Sequence, residues 1–198
     1  MSASAVPMQA HPPTTTGLDH RKVAIWAFIG SECMLFVSLI STYLIYKGRS
    51  VVGPYPHDIL NIPFTSISTF DLLMSSLMMV LALAAVQRGD LRWAKVWLFL
   101  TALLGLFFLA GQVYEFTSFV HEGLTLQRNL FGATFFVLTG THGAHVTVGV
   151  IWLLTLWSRA LRGKLGKGNA LTVEICGLYW HFVDVVWIVI FTLVYLIQ

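Results

Sequence analysis

The sequence predicts an all-α protein, an integral membrane bundle of five transmembrane helices with its N-terminus inside and its C-terminus outside. Three observations predict this. Of 198 residues, 57% are hydrophobic and only 11% charged, whereas soluble domains carry about one-quarter charged residues. Five apolar segments reach the roughly 20 residues that a helix needs to cross a hydrocarbon core about 30 Å thick. The basic residues are unevenly divided between the two ends of those segments.

The segments fall at about residues 23–46, 66–86, 96–116, 131–157 and 172–197. The first begins directly after Arg21 and Lys22. No apolar core or small-residue cleavage site precedes it, so the first helix is expected to remain uncleaved. Residues 1–20, rich in Pro, Ser and Thr, are expected to form a flexible tail ahead of a single five-helix domain, residues 21–198. Gly53, Pro54, Pro56 and Pro63 mark the first connection as irregular, and Arg88, Gly89 and Asp90 mark the second as a tight polar turn.

Alternating the sides places Arg21, Lys22, Arg88, Arg92, Lys95, Arg159, Arg162, Lys164 and Lys167 together, against Lys47, Arg49 and Arg128. Nine against three sets the N-terminus inside by the positive-inside rule. Basic residues beside a span set topology and touch anionic lipid, so no nucleic-acid partner is expected. Cys33 and Cys176 both sit in apolar segments without a paired Cys or His motif, and are expected to act as small hydrophobes. Gly140 and Ala144 form a small-residue pair expected to let two helices approach closely. Trp93, Trp97, Trp152, Trp157 and Tyr195 are expected to anchor at the two interfaces.

Ionisable groups at membrane depth are costly, about 2.5–3.5 kcal/mol each at the centre of a span, and therefore mark structural or functional contacts. Glu32 sits near the middle of the first span. His142 and His145 share one face of the fourth, and His181 and Asp184 one face of the fifth. Glu174 lies nearer the inner end of the fifth span, Asp71 in the outer half of the second, and Gln112 and Glu115 near the outer end of the third. If the mid-depth faces converge, the bundle has a polar centre. Three readings of it stand: interhelical hydrogen bonds that fix register, a proton-exchanging carboxylate at Glu32, and a metal site. The metal reading is the weakest, because HExxH and the histidine boxes of membrane desaturases are absent.

Four segments resemble one family. Tyr179-Trp-His-Phe-Val-Asp-Val-Val-Trp187 is similar, almost letter for letter, to the last helix of subunit III of the haem–copper respiratory oxidases. Gly140-Thr-His-Gly-Ala-His-Val-Thr-Val-Gly149 resembles its glycine–histidine signature, Ser31-Glu32 its helix with a buried reactive glutamate, and Gly111-Gln-Val-Tyr-Glu-Phe116 another core helix. The resemblance spans about residues 19–198.

The resemblance implies an accessory, non-redox subunit of a cytochrome c oxidase-type complex in a bacterial inner membrane, an obligate hetero-oligomer with oxidase subunits I and II. It implies no catalytic residue and no metal in this chain, with haem and copper held by the partners. Bound phospholipid and support of proton uptake are further implications. Glu32 matches the family's carbodiimide-reactive carboxylate, and His142 and His145 its histidine pair. Tyr179, Trp180, His181 and Asp184 match the last-helix motif, with Tyr179, Trp180, Gln112 and Glu115 as candidate lipid contacts. Many members have seven helices and this chain begins at the equivalent of the third. Short forms occur in both quinol and cytochrome c oxidases, so the resemblance leaves the donor open. The alternatives are an accessory subunit of a nitric oxide reductase and, in another class, a stand-alone membrane metalloenzyme.

Overall fold

The computed structural model describes residues 17, 19–50, 53–54 and 60–197. Nearly all of the expected tail lies outside the described residues. Five helices are each long and apolar enough to cross a membrane: α1 (His20–Tyr46), α2 (Ile62–Arg88), α3 (Leu91–His121), α4 (Leu130–Leu161) and α5 (Ala170–Ile190), the last continued by a π-helical turn over Phe191–Leu196. Among the described residues there is no strand. Each helix begins one to five residues before the apolar segment that predicts it.

Side-chain caps explain where four of the helices begin. Asp19, Asn61, Asp90 and Asn129 accept from backbone N–H groups of the first turns of α1, α2, α3 and α4, satisfying donors that have no helical partner. At Asp19 the Arg21 side chain is the largest influence, holding the carboxyl below its usual range. The α2–α3 turn closes at Gly89, whose φ of 82° is left-handed and whose N–H returns to the α2 carbonyls.

α3 packs between α2 and α4, while α5 packs against α1, α2 and α4. Over their most apolar stretches 56% of α5 is buried but only 17% of α1, so α5 is the axis of the bundle and α1 its loosest member. Trp180 fixes the centre. Its indole is fully buried and donates to the Ser75 hydroxyl of α2 at 3.0 Å. It lies in a slot bounded by Gly105 and Gly149, where an added methyl would come within 2.7 Å of the ring. Trp187 repeats the arrangement nearer the C-terminal end, donating to Thr69 at 3.0 Å.

Three expectations are corrected. Nothing lies within 4 Å of a side-chain position at Gly140, and Ala144 is exposed; close approach occurs instead at Gly143 and Gly149, because those residues point at α3 and α5. Tyr195 is buried, not interfacial: within the π-helical turn it packs on Phe135, Trp187 and Phe191. Cys176 is buried as expected, but Cys33 lies on the exposed face of α1.

Candidate functional site: a histidine–carboxylate pair and its polar surroundings

The five mid-depth residues do not form one cluster; they divide into three settings. Glu32 and His145 come together. His145 Nε2 lies 3.0 Å from Glu32 Oε2, with both side chains 17% exposed. The other ring nitrogen of His145, Nδ1, lies 2.8 Å from the Thr141 carbonyl one turn back, so the imidazole is fixed at both ends. Tyr179 on α5 donates its hydroxyl to the His145 carbonyl at 2.9 Å. Phe36 covers the ring edge-on with centroids 5.0 Å apart. The pair therefore joins α1 to α4, and Tyr179 ties that joint to α5.

His142 occupies a second setting. It is completely buried, its Nε2 donates to the Val183 carbonyl at 3.2 Å, and its ring stacks on Trp187 with Phe108 against its edge. Its Nδ1 has no partner. The arrangement is that of a ring packed as a structural element.

His181 and Asp184 form the third. The Ser76 hydroxyl of α2 meets His181 Nδ1 at 2.5 Å. Asp184 is 3% exposed. The Ser76 hydroxyl stands near it, yet neither carboxyl oxygen is placed for a hydrogen bond.

The outer candidates also separate. Glu115 accepts from Thr65 of α2 at 2.5 Å, and Thr65 is also near Tyr195. Gln112 donates to the Thr139 carbonyl of α4 at 2.8 Å. Its carboxamide lies flat against Gly143, where a side chain would come within 2.7 Å of it. These are register bonds between helices, each worth about 0.6–2 kcal/mol in a membrane. Among the described residues no three His, Cys, Asp or Glu side chains are placed to share one metal ion.

Sequence reasoning missed two features. Lys22 reaches Glu174 at 2.7 Å, an ion pair joining α1 to α5 at the end of the bundle where α1 begins. Both residues were visible as charges beside spans, but no sequence spacing relates positions so far apart. The second feature is a groove. One section of about 420 Å³ is lined by Arg21, Ile25, Phe28, Trp152, Thr172 and Ile175. A deeper section of about 310 Å³ shares Ile25, Phe28 and Trp152 and ends at His145 and Tyr179. An apolar path thus descends from the Arg21 guanidinium, between α1 and α4, to the histidine–carboxylate pair.

Comparison with known proteins agrees with the family that the motifs resemble. Residues 9–198 match the family described as cytochrome c oxidase subunit III. The chain is 38% identical to cytochrome c oxidase subunit 3 of Bacillus sp. (strain PS3), over 99% of this chain and 95% of the relative. It is 39% identical to quinol oxidase subunit 3 of Bacillus subtilis (strain 168), over 88% of this chain and 85% of the relative. Identity to cytochrome bo(3) ubiquinol oxidase subunit 3 of Pseudomonas putida is 37%, over 88% of this chain and 84% of the relative. With five spanning helices, the family motifs in place and near full-length similarity, the chain belongs to the cytochrome c oxidase subunit III family.

Proposed function

We propose that this chain serves a haem–copper terminal oxidase as a non-redox subunit that steadies subunit I, holds structural lipid and helps sustain proton uptake. It is a multi-pass protein of a bacterial inner membrane and the accessory subunit of an oxygen-reducing complex. The finer roles rest on this chain's own geometry. Its nine basic residues on one side support an N-terminus facing the cytoplasm.

The observation that carries the proton-linked reading is the Glu32–His145 contact at 3.0 Å within the span. The contact holds a carboxyl and an imidazole at hydrogen-bonding distance, the geometry that proton transfer between them needs. Both side chains keep 17% exposure, and His145 lines the foot of the groove. The groove itself suits a phospholipid. Its walls accept an acyl chain, and Arg21 at its mouth offers a cation to a phosphate. His142 and Trp180, sealed inside, maintain the bundle that positions the pair.

Haem and copper belong in this reading to subunits I and II. Purification of the native complex in mild detergent, with subunits and haems identified, tests it. Haem–copper subunits in the same particle are the expected result, and a copper-bearing subunit II assigns cytochrome c, not quinol, as donor. A chain that runs alone with stoichiometric metal would overturn the reading in favour of a membrane metalloenzyme.

A further inference from the structure

Asp71 is an acid inside a span that the bundle does not use. It is the tenth residue of the 27-residue α2, about 14 Å along the helix from its start and roughly 6 Å from its midpoint at 1.5 Å per residue. That depth is well within a hydrocarbon core about 30 Å thick. The side chain is half-buried. Among the described residues it makes no hydrogen bond or ion pair. Glu32, Glu115 and Glu174 all have partners on neighbouring helices, so Asp71 differs from the glutamates of the bundle.

Its position on α2 shows where it faces. Ile67, Ser68, Met74 and Phe64 lie on its side of the helix, at spacings of three, four and seven residues. Ser68 and Phe64 are the groups that a side chain at Gly111 of α3 would meet, so this edge of α2 borders α3. Beyond the border, Ile67 and Tyr114 are each 65% exposed and Phe107 is 59% exposed. Asp71 therefore sits at the rim of an outward, largely apolar face shared by α2 and α3. That face is distinct from the groove beside α1.

A carboxylate at this depth needs a cation or hydrogen-bond donor, and lipid tails supply neither. Lipid headgroups lie too far out, about 15 Å from the bilayer centre. A basic or hydrogen-bond-donating protein side chain carried at the same depth completes the contact. We infer that the α2–α3 face around Asp71 docks a transmembrane helix of another oxidase subunit, one that presents a basic or hydrogen-bond-donating side chain to the Asp71 carboxylate. The inference rests on the chain working within a multisubunit oxidase, and names the surface it uses there.

Photo-crosslinking in the native complex tests this directly. A benzophenone amino acid replaces exposed Ile67 beside Asp71, and in a second strain exposed Ile151 of α4. Neither position belongs to the histidine–carboxylate pair. Crosslinks from position 67 to another oxidase subunit are expected, together with a several-fold loss of this chain from the purified complex in Asp71→Leu that Asp71→Asn partly restores. Position 67 forming only lipid adducts, or joining two copies of this chain, would overturn the inference, as would full retention of Asp71→Leu in the complex. These outcomes are read in particles that contain haem. If no haem–copper subunit co-purifies even with the unaltered chain, it is the oxidase reading that has failed.

Discussion

His145 Nε2 stands 3.0 Å from Glu32 Oε2, while the backbone carbonyl of the same histidine accepts the Tyr179 hydroxyl at 2.9 Å. One residue of α4 thus holds the least buried helix, α1, to the most buried one, α5. Contacts made by α1 elsewhere are mainly apolar or lie at its ends, as with Lys22–Glu174 and the bond from Lys47 Nζ to the Ile197 carbonyl.

Truncating either member of the pair leaves the other polar in an apolar setting, at a cost of about 1–3 kcal/mol. Glu32→Ala and His145→Ala should therefore release α1 first, read as faster proteolysis of the α1–α2 connection and earlier thermal loss of the subunit. Glu32→Gln retains a hydrogen-bonding group and should dissociate less readily than Glu32→Ala. If the pair also serves proton exchange, Glu32→Gln will still shorten the lifetime of turnover. Equal turnover lifetime in Glu32→Gln and the unaltered protein would limit the pair to a structural role.

The Trp180 slot makes a packing prediction of opposite sign to its chemistry. Adding one methyl at Gly149 or Gly105 places it 2.7 Å from the indole ring, which is fully buried and tethered to Ser75. The ring cannot shift without losing that bond, and overpacking of this kind costs about 1–3 kcal/mol. Gly149→Ala should lower the thermal midpoint of the purified subunit, whereas Gly140→Ala, with open space around it, should not.

Much of this was legible in the sequence, for physical reasons that differ by element. The five helices were visible because a membrane imposes length and apolarity on every span, and these signals need no partner. The pairing of Glu32 with His145 was not visible, because spacing on one helix says nothing about the rotation of its neighbour. Gly140 and Gly143 line one pocket against α3, yet only Gly143 lies under the Gln112 carboxamide, a difference that spacing on α4 alone does not show. Tyr195 read as an interfacial anchor from its place near the chain end, and the π-helical turn carries it inward. Membrane depth and helical spacing singled out His142, His181 and Asp184, yet only the folded chain separates a sealed stacking histidine from one bonded to Ser76.

At the other end of the bundle, Thr65 and Glu115 offer a cleaner test of register bonding. Thr65→Val keeps the shape and removes the donor 2.5 Å from the Glu115 carboxylate. A buried carboxyl left without that donor should destabilise the α2–α3 contact by about 1–3 kcal/mol. Glu115→Gln in the Thr65→Val background should recover part of the loss, because a neutral amide is less costly to leave unpaired. Thermal denaturation of the two single variants and the double variant measures the coupling.

The most direct test of the central claim compares the oxidase with and without this chain, following haem spectra, initial rate and rate during prolonged turnover. The accessory reading predicts unchanged haem spectra and a near-normal initial rate, followed by earlier decay of activity in the depleted enzyme. Loss of a haem or copper signal with the chain would contradict it by placing a redox centre here. Sustained turnover indistinguishable from that of the complete enzyme would contradict the supporting role assigned to Glu32, His145 and the groove above them.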